Sequence, residues 1–205
     1  VTRNSELKEK LWEAHFRQNM VLQAPVVLTF CADFNRFDKW CRQRKAEPGY
    51  NNFLSWMTAA TDALLAAQNA ALAAEDHGLG ICYLGTTLYN ADKIIEILAL
   101  PPMVIPVTTI VAGYPDESPG LTDRLPLEGI VHDEQYKDYT PEAIDAIYAE
   151  KDSAELTLKL LKENNLETLS QIFTQKRYTK KDNEAISQKL MEVIRKQGSP
   201  SEEER

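Results

Sequence analysis

His15, His77 and His132 are the side chains of this 205-residue chain best suited to hold a metal, but none sits in an HxxxH or HExxH spacing that would aim two imidazoles at one ion. No metal site is expected. Cys31, Cys41 and Cys82 form no CxxC and, being three, cannot all pair, so buried thiols are expected rather than a zinc knuckle or a disulfide framework. A nucleophile elbow GxSxG, a Walker A loop and a GxGxxG are absent, and the glycines of Leu79-Gly80-Ile81-Cys82-Tyr83-Leu84-Gly85 are wrongly spaced for a dinucleotide-binding turn. Acyl transfer and P-loop phosphoryl transfer therefore lose their usual anchors. The cluster Lys176, Arg177, Lys180 and Lys181 reads most simply as a solvated charged face.

Chemistry of another kind must come from how the elements are arranged. Hydrophobic residues are 43% and charged residues 26% of the chain, the balance of a globular protein of one domain or one domain with an appendage. Twenty-three Lys and Arg against thirty-one Asp and Glu give a net charge of −8, which disfavours nucleic acid and anionic lipid as partners. No run of apolar residues is long enough to span a bilayer and the first twenty residues are charged throughout, so a cytoplasmic chain without membrane contact is expected.

Leu7, Leu11, Trp12 and Phe16 at helical spacing predict an amphipathic helix over Thr2 to Gln18, with Asn4 or Ser5 as its cap. The apolar run Pro25 to Ala32 predicts a strand covered on both faces and placed mid-sheet. A short helix and loop follow over Asp33 to Pro48. Asn52 to Gly78 predicts a long helix, with nine alanines among the sixteen residues from Ala59 to Ala74 and Gly78 as its stop. Small side chains on several faces imply burial all round, either in a large core or in a subunit interface, and so favour a dimer. Leu79 to Gly85 and Val104 to Ala112 read as strands, the second with Pro106 near its start, and Asn90 to Leu100 as a short helix capped by Asn90. A loop from Asp116 to Tyr139 leads to a helix from Pro141 to about Asn164 and another from Asp182 to Gln197, and a disordered tail over 199–205 is expected.

This order of pieces resembles the flavin-dependent nitroreductase family. The segments Ala24 to Arg36, Ala67-Gln68-Asn69-Ala70, Gly78-Leu79-Gly80, Gly113-Tyr114-Pro115 and Asp123-Arg124-Leu125-Pro126 look like its NADPH-dependent flavin reductase and oxygen-insensitive nitroreductase branch, over roughly Gln18 to Tyr139. The resemblance implies an α+β fold, helix-rich and dimeric, in three α/β/α layers around a mostly antiparallel sheet. It implies an FMN-binding domain over 1–150 and C-terminal helices over 151–198 packing on the domain or the partner subunit.

By the same resemblance, the chain is an FMN-dependent NAD(P)H oxidoreductase and a homodimer. Hydride passes from NADPH or NADH to flavin N5 and then, in a ping-pong cycle, to a quinone, nitroaromatic or flavin acceptor. The flavin does the chemistry, and no catalytic acid, base or nucleophile is needed from the protein. Gln18, followed by Asn19 and Met20, matches the family's amide at the isoalloxazine edge. Tyr83, Leu84, Gly85 and Thr86 match the segment whose main chain runs along the flavin, where glycine permits close approach. Arg124 matches an arginine at the FMN phosphate, and Thr122 stands where the branch commonly has lysine. Lys176 and Arg177 lie where relatives meet the phosphates of the nicotinamide donor. The family's usual N-terminal segment, with its Arg-Ser-x-Arg-like phosphate clasp, has no counterpart at Val1 to Lys10. The alternative reading is a non-catalytic dimeric module of the same fold, binding flavin or no cofactor.

Overall fold

Val104–Gly113 (β3) is apolar enough to be buried on both faces, and it forms the centre of an antiparallel three-stranded sheet in the computed structural model, which describes residues 1–198. Val26–Asp33 (β1) pairs along one side of it and Gly80–Leu84 (β2) along the other, in the order β1-β3-β2. β1 is thus an edge strand, not the mid-sheet strand its apolar run predicts. Among the described residues its outer side is closed only at Val27, by an antiparallel bridge to Thr2. Pro106 sits beside a register shift between Phe30 and Cys31, in the stretch of β3 that has no β2 opposite it, so its missing donor costs no ladder bond on that side. At the other end Gly113 lets Pro25 approach, since a Cβ there would lie 2.7 Å from the proline ring.

Helices cover both faces. Ser5–Ala14 (α1), capped by Asn4 Oδ1 accepting from the Leu7 amide, packs with the short Met20–Gln23 (α2) and with Ala91–Ile97 (α5) around Leu11, Val21, Val27, Leu84, Ile94 and Val111. Phe53–Asp76 (α4), capped by Asn52 and ended by Gly78 at φ +74°, lies on the opposite face. Ala59, Ala60 and Ala63 meet Ala32 and Val107, while Ala67 and Ala71 meet Ile110. This is the three-layer α+β arrangement that the resemblance implies. Asn35–Gln43 (α3) fills the connection between β1 and α4.

Several expectations are corrected. The first helix ends at Ala14 rather than Gln18, because Phe16 and Arg17 are left-handed, at φ 54° and 60°. α4 buries one stripe of small residues in the single chain, and Leu54, Met57, Leu64, Leu65 and Leu72 on its other side stay exposed. Asn90 does not cap α5; its Nδ2 donates to the Ala14 carbonyl at 2.7 Å and so secures the end of α1. The helix expected over Pro141 to Asn164 is two, Pro141–Ser153 (α6) and Glu155–Asn164 (α7), broken where Ala154 turns extended at ψ 141°.

The chain separates into two compact units, Val1–Glu117 with Ile186 onward, and Ser118–Ala185. The second contains α6, α7, Leu169–Ile172 (α8) and a π-helical turn over Phe173–Arg177, with Leu169 and Ile172 buried. Lys180–Gln197 (α9) starts in the second unit and finishes in the first, where Lys189 pairs with Asp92 at 2.7 Å and Gln197 Nε2 donates to the Val104 carbonyl at 3.1 Å. The boundary at 150 falls inside α6. The tail expected to be disordered lies outside the described residues.

Candidate functional site

α1 places the first group of polar side chains. Lys8, almost wholly buried on α1, donates from Nζ to the carbonyls of Leu22 and Ala24, which ties α1 to the end of α2. Asn90 holds the Ala14 carbonyl. Between these ties the chain makes its left-handed step through Phe16 and Arg17 and delivers Gln18. Gln18 Nε2 donates to the His15 carbonyl at 3.1 Å and to Thr86 Oγ1 at 3.2 Å. His15 Nδ1 lies 2.8 Å from the same Thr86 Oγ1. Gln18 and Thr86, nominated separately from the sequence, are thereby brought together.

The second group comes from β2 and the turn after it. β2 pairs on one side only among the described residues, so alternate main-chain groups face away from the sheet. Leu84 is buried and anchors the strand end, whereas Gly85 is exposed and nothing lies within 4 Å of where its Cβ would stand. Tyr83 projects from the edge and its hydroxyl donates to Gln68 Oε1 at 3.2 Å. Thr87 is held by the Leu84 carbonyl and by Thr109, at 3.1 and 3.0 Å, which fixes the turn. An amide, a hydroxyl and an open strand edge thus converge beside uncovered space, and these residues fit the polar edge of a planar ring system.

The remaining nominated residues stand elsewhere. Asn19 is exposed, and Met20 packs against the core cluster of α1. Thr122 and Arg124 share a loop of the second unit, where Arg124 Nη1 donates to the hydroxyl of Thr122 and, at 3.1 Å, to the Asp123 carbonyl. Asp123 is also paired with Lys151, which holds its carboxyl below the usual range. Lys176 and Arg177 occupy the π-helical turn, with the Arg177 guanidinium 5.7 Å from the Phe173 ring. A cavity of about 350 Å³ lies elsewhere in the first unit, at the start of β3 and α4, walled by Phe34, Tyr50, Phe53, Trp56 and Met103. None of the nominated residues lines it.

His15 joins the first group of polar side chains although it lies in no metal-ligand spacing. It is fully buried, its Nε2 has no partner among the described residues, and burial pushes its pKa down to about 4, so the imidazole is neutral at ordinary pH. Its place four residues after Leu11, on the apolar stripe of α1, is the signal that could have found it. Burial likewise pushes the Cys31 thiol up to about 11, with Asp33 adding to the effect, as suits an unreactive thiol.

The fold is α+β, an antiparallel sheet between layers of helix, with Gln18 and Thr86 in contact beside the end of an edge strand. The chain belongs to the nitroreductase family, whose sequence model matches residues 1–114. It is 37% identical over 131 residues to the oxygen-insensitive NADPH nitroreductase of Salmonella typhimurium, covering 64% of this chain and 53% of that one. To the FMN reductase (NAD(P)H) of Bacillus subtilis it is 37% identical over 139 residues, covering 66% and 55%. A crystal structure of a candidate oxidoreductase from Bacteroides fragilis superposes with a TM-score of 0.94 at 56% identity, covering 96% of this chain and 80% of that one. The chain spans about half the length of the curated relatives it matches.

Proposed function

We propose that the chain acts as an FMN-dependent NAD(P)H oxidoreductase that reduces small aromatic or quinone acceptors. The observation that carries this reading is the convergence of Gln18 and Thr86 beside the open edge at Gly85. When bound, FMN supplies the hydride chemistry, accepting from a nicotinamide donor and giving to the acceptor. The protein's part is binding and orientation. Gln18 and Thr86 hydrogen-bond the ring edge, Gly85 admits the ring close to the main chain, and Leu84 and Thr87 keep that main chain from yielding. Thr122 and Arg124 offer a hydroxyl and a guanidinium suited to phosphate, and Lys176 and Arg177 a positive patch suited to the donor's phosphates. The names of the Salmonella and Bacillus relatives support the choice of cofactor and donor.

The protein acts as a homodimer through the exposed apolar side of α4, and in the cytoplasm, where the nicotinamide donor pool resides. No helix among the described residues is long and apolar enough to cross a membrane. The test is the visible spectrum of the purified chain after incubation with FMN and gel filtration, followed by NADPH and NADH oxidation with a quinone. Retained flavin at about one per chain with turnover supports the reading. Retained flavin without turnover supports the non-catalytic flavin-binding module, and a colourless chain overturns the enzyme reading in favour of the cofactor-free module of the same fold.

A further inference from the structure

We propose that His15 is a positioning residue that sets the hydrogen-bonding polarity of the Thr86 hydroxyl, making it an obligate donor toward the bound ring. The proposal rests on the flavin reading above for the identity of the ring, and on three contacts for its logic. Thr86 Oγ1 has two lone pairs and one proton. Gln18 Nε2 reaches that oxygen at 3.2 Å and can only donate, which takes one lone pair. His15 Nδ1 reaches it at 2.8 Å and either donates or accepts, depending on the tautomer.

The other ring nitrogen decides between the two. His15 Nε2 is enclosed and has no partner among the described residues. Were the proton on Nε2, a buried N–H would be stranded without an acceptor. With the proton on Nδ1, only a lone pair is left unsatisfied, which is the smaller penalty. Desolvation of the ring favours the neutral form, so the doubly protonated alternative is not populated near neutral pH. His15 therefore donates from Nδ1, both lone pairs of Thr86 Oγ1 are filled, and its proton is left to donate elsewhere. No acceptor for it is found among the described residues. Gln18, with its NH2 committed to Thr86 and to the His15 carbonyl, presents Oε1 as an acceptor. The pair reads as donor beside acceptor, the complement of a ring edge that carries a carbonyl next to an N–H, as in the pyrimidine portion of an isoalloxazine. The left-handed step at Phe16 and Arg17 sets Gln18 and His15 at this distance.

Nitrogen-15 NMR of histidine-labelled protein without flavin tests the claim directly. The expected result is a neutral Nδ1–H tautomer for His15 from pH 8 to pH 5; an Nε2–H tautomer, or protonation at the ordinary histidine pKa, overturns the proposal. Four variants then read the consequence by FMN titration, with thermal melting as the folding control. His15→Leu should weaken FMN binding roughly tenfold, the scale of one lost hydrogen bond. His15→Asn, whose amide stands in for Nδ1–H, should restore binding to within about threefold. Thr86→Val should match His15→Leu, and the double variant should be no worse than either single. Additive losses overturn the proposal, because they would mean that His15 does not act through Thr86. Should wild-type protein retain no FMN, the flavin reading fails on its own, and the tautomer measurement still decides the role of His15.

Discussion

At the scale of single residues, the fold keeps one histidine, His15, out of water. The folded chain holds the His15 pKa near 4 against about 6.5 when exposed, and desolvation is the cause. As the pH falls below 6.5 the unfolded chain takes up a proton that the folded chain refuses until about pH 4. Stability therefore rises with pH across that window and is lost toward acid, by roughly 3 kcal/mol between pH 7 and pH 4. Urea unfolding at the two pH values should show this loss in the wild type and little of it in His15→Asn. A wild-type protein with no extra loss would mean that the ring is hydrated in solution.

Helix ends govern the next scale. α1, α3, α4, α5 and α7 each finish with the same pair of backbone bonds, from the left-handed residue back three and from its successor back five, as in Ala99 to Glu96 and Leu100 to Ile95. The left-handed residues are Phe16, Lys45, Gly78, Ala99 and Asn165. Gly78 was legible in the sequence because glycine announces that conformation. The others were not, since the geometry is imposed by where each chain must turn next. Ala99 is exposed at φ 49°, and Ala99→Gly should raise stability by about 1 kcal/mol by removing the Cβ clash, as measured by chemical denaturation. An unchanged midpoint would place the turn outside the left-handed region. On α4, Ala67 is completely buried against Ile110, and Ala67→Leu should destabilise by about 1–3 kcal/mol through overpacking. A neutral result would show that α4 can lift from the sheet.

For the molecule as a whole, α4 joins core and surface. Its alanine stripe lets the helix lie close on β1 and β3, while Leu54, Met57, Leu64, Leu65 and Leu72 form a second apolar stripe that the single chain leaves in water. Leu65, 62% exposed, contributes nothing to the monomer's core, so Leu65→Glu should leave the far-UV spectrum unchanged. Light scattering during gel filtration should then find the wild type at twice the chain mass and the variant at the monomer mass. A wild type that runs as a monomer would remove the dimer from the proposed function.

Apolar spacing, caps such as Asn4 and Asn52, and stops such as Gly78 act within a turn or two of chain, and for that reason most elements and the family resemblance were legible in the amino-acid sequence, though the end of α1 and the break at Ala154 were not. The sequence likewise nominated Gln18 and Thr86, from their places in the family pattern. Only the tertiary structure decided that β3 and not β1 is central, that Asn90 serves α1 rather than its own helix, and that His15 meets Thr86 across 71 positions of sequence. Each of these is a contact between distant parts of the chain, settled by which surfaces can be buried together and which polar atoms must then find partners, and no local pattern encodes that outcome.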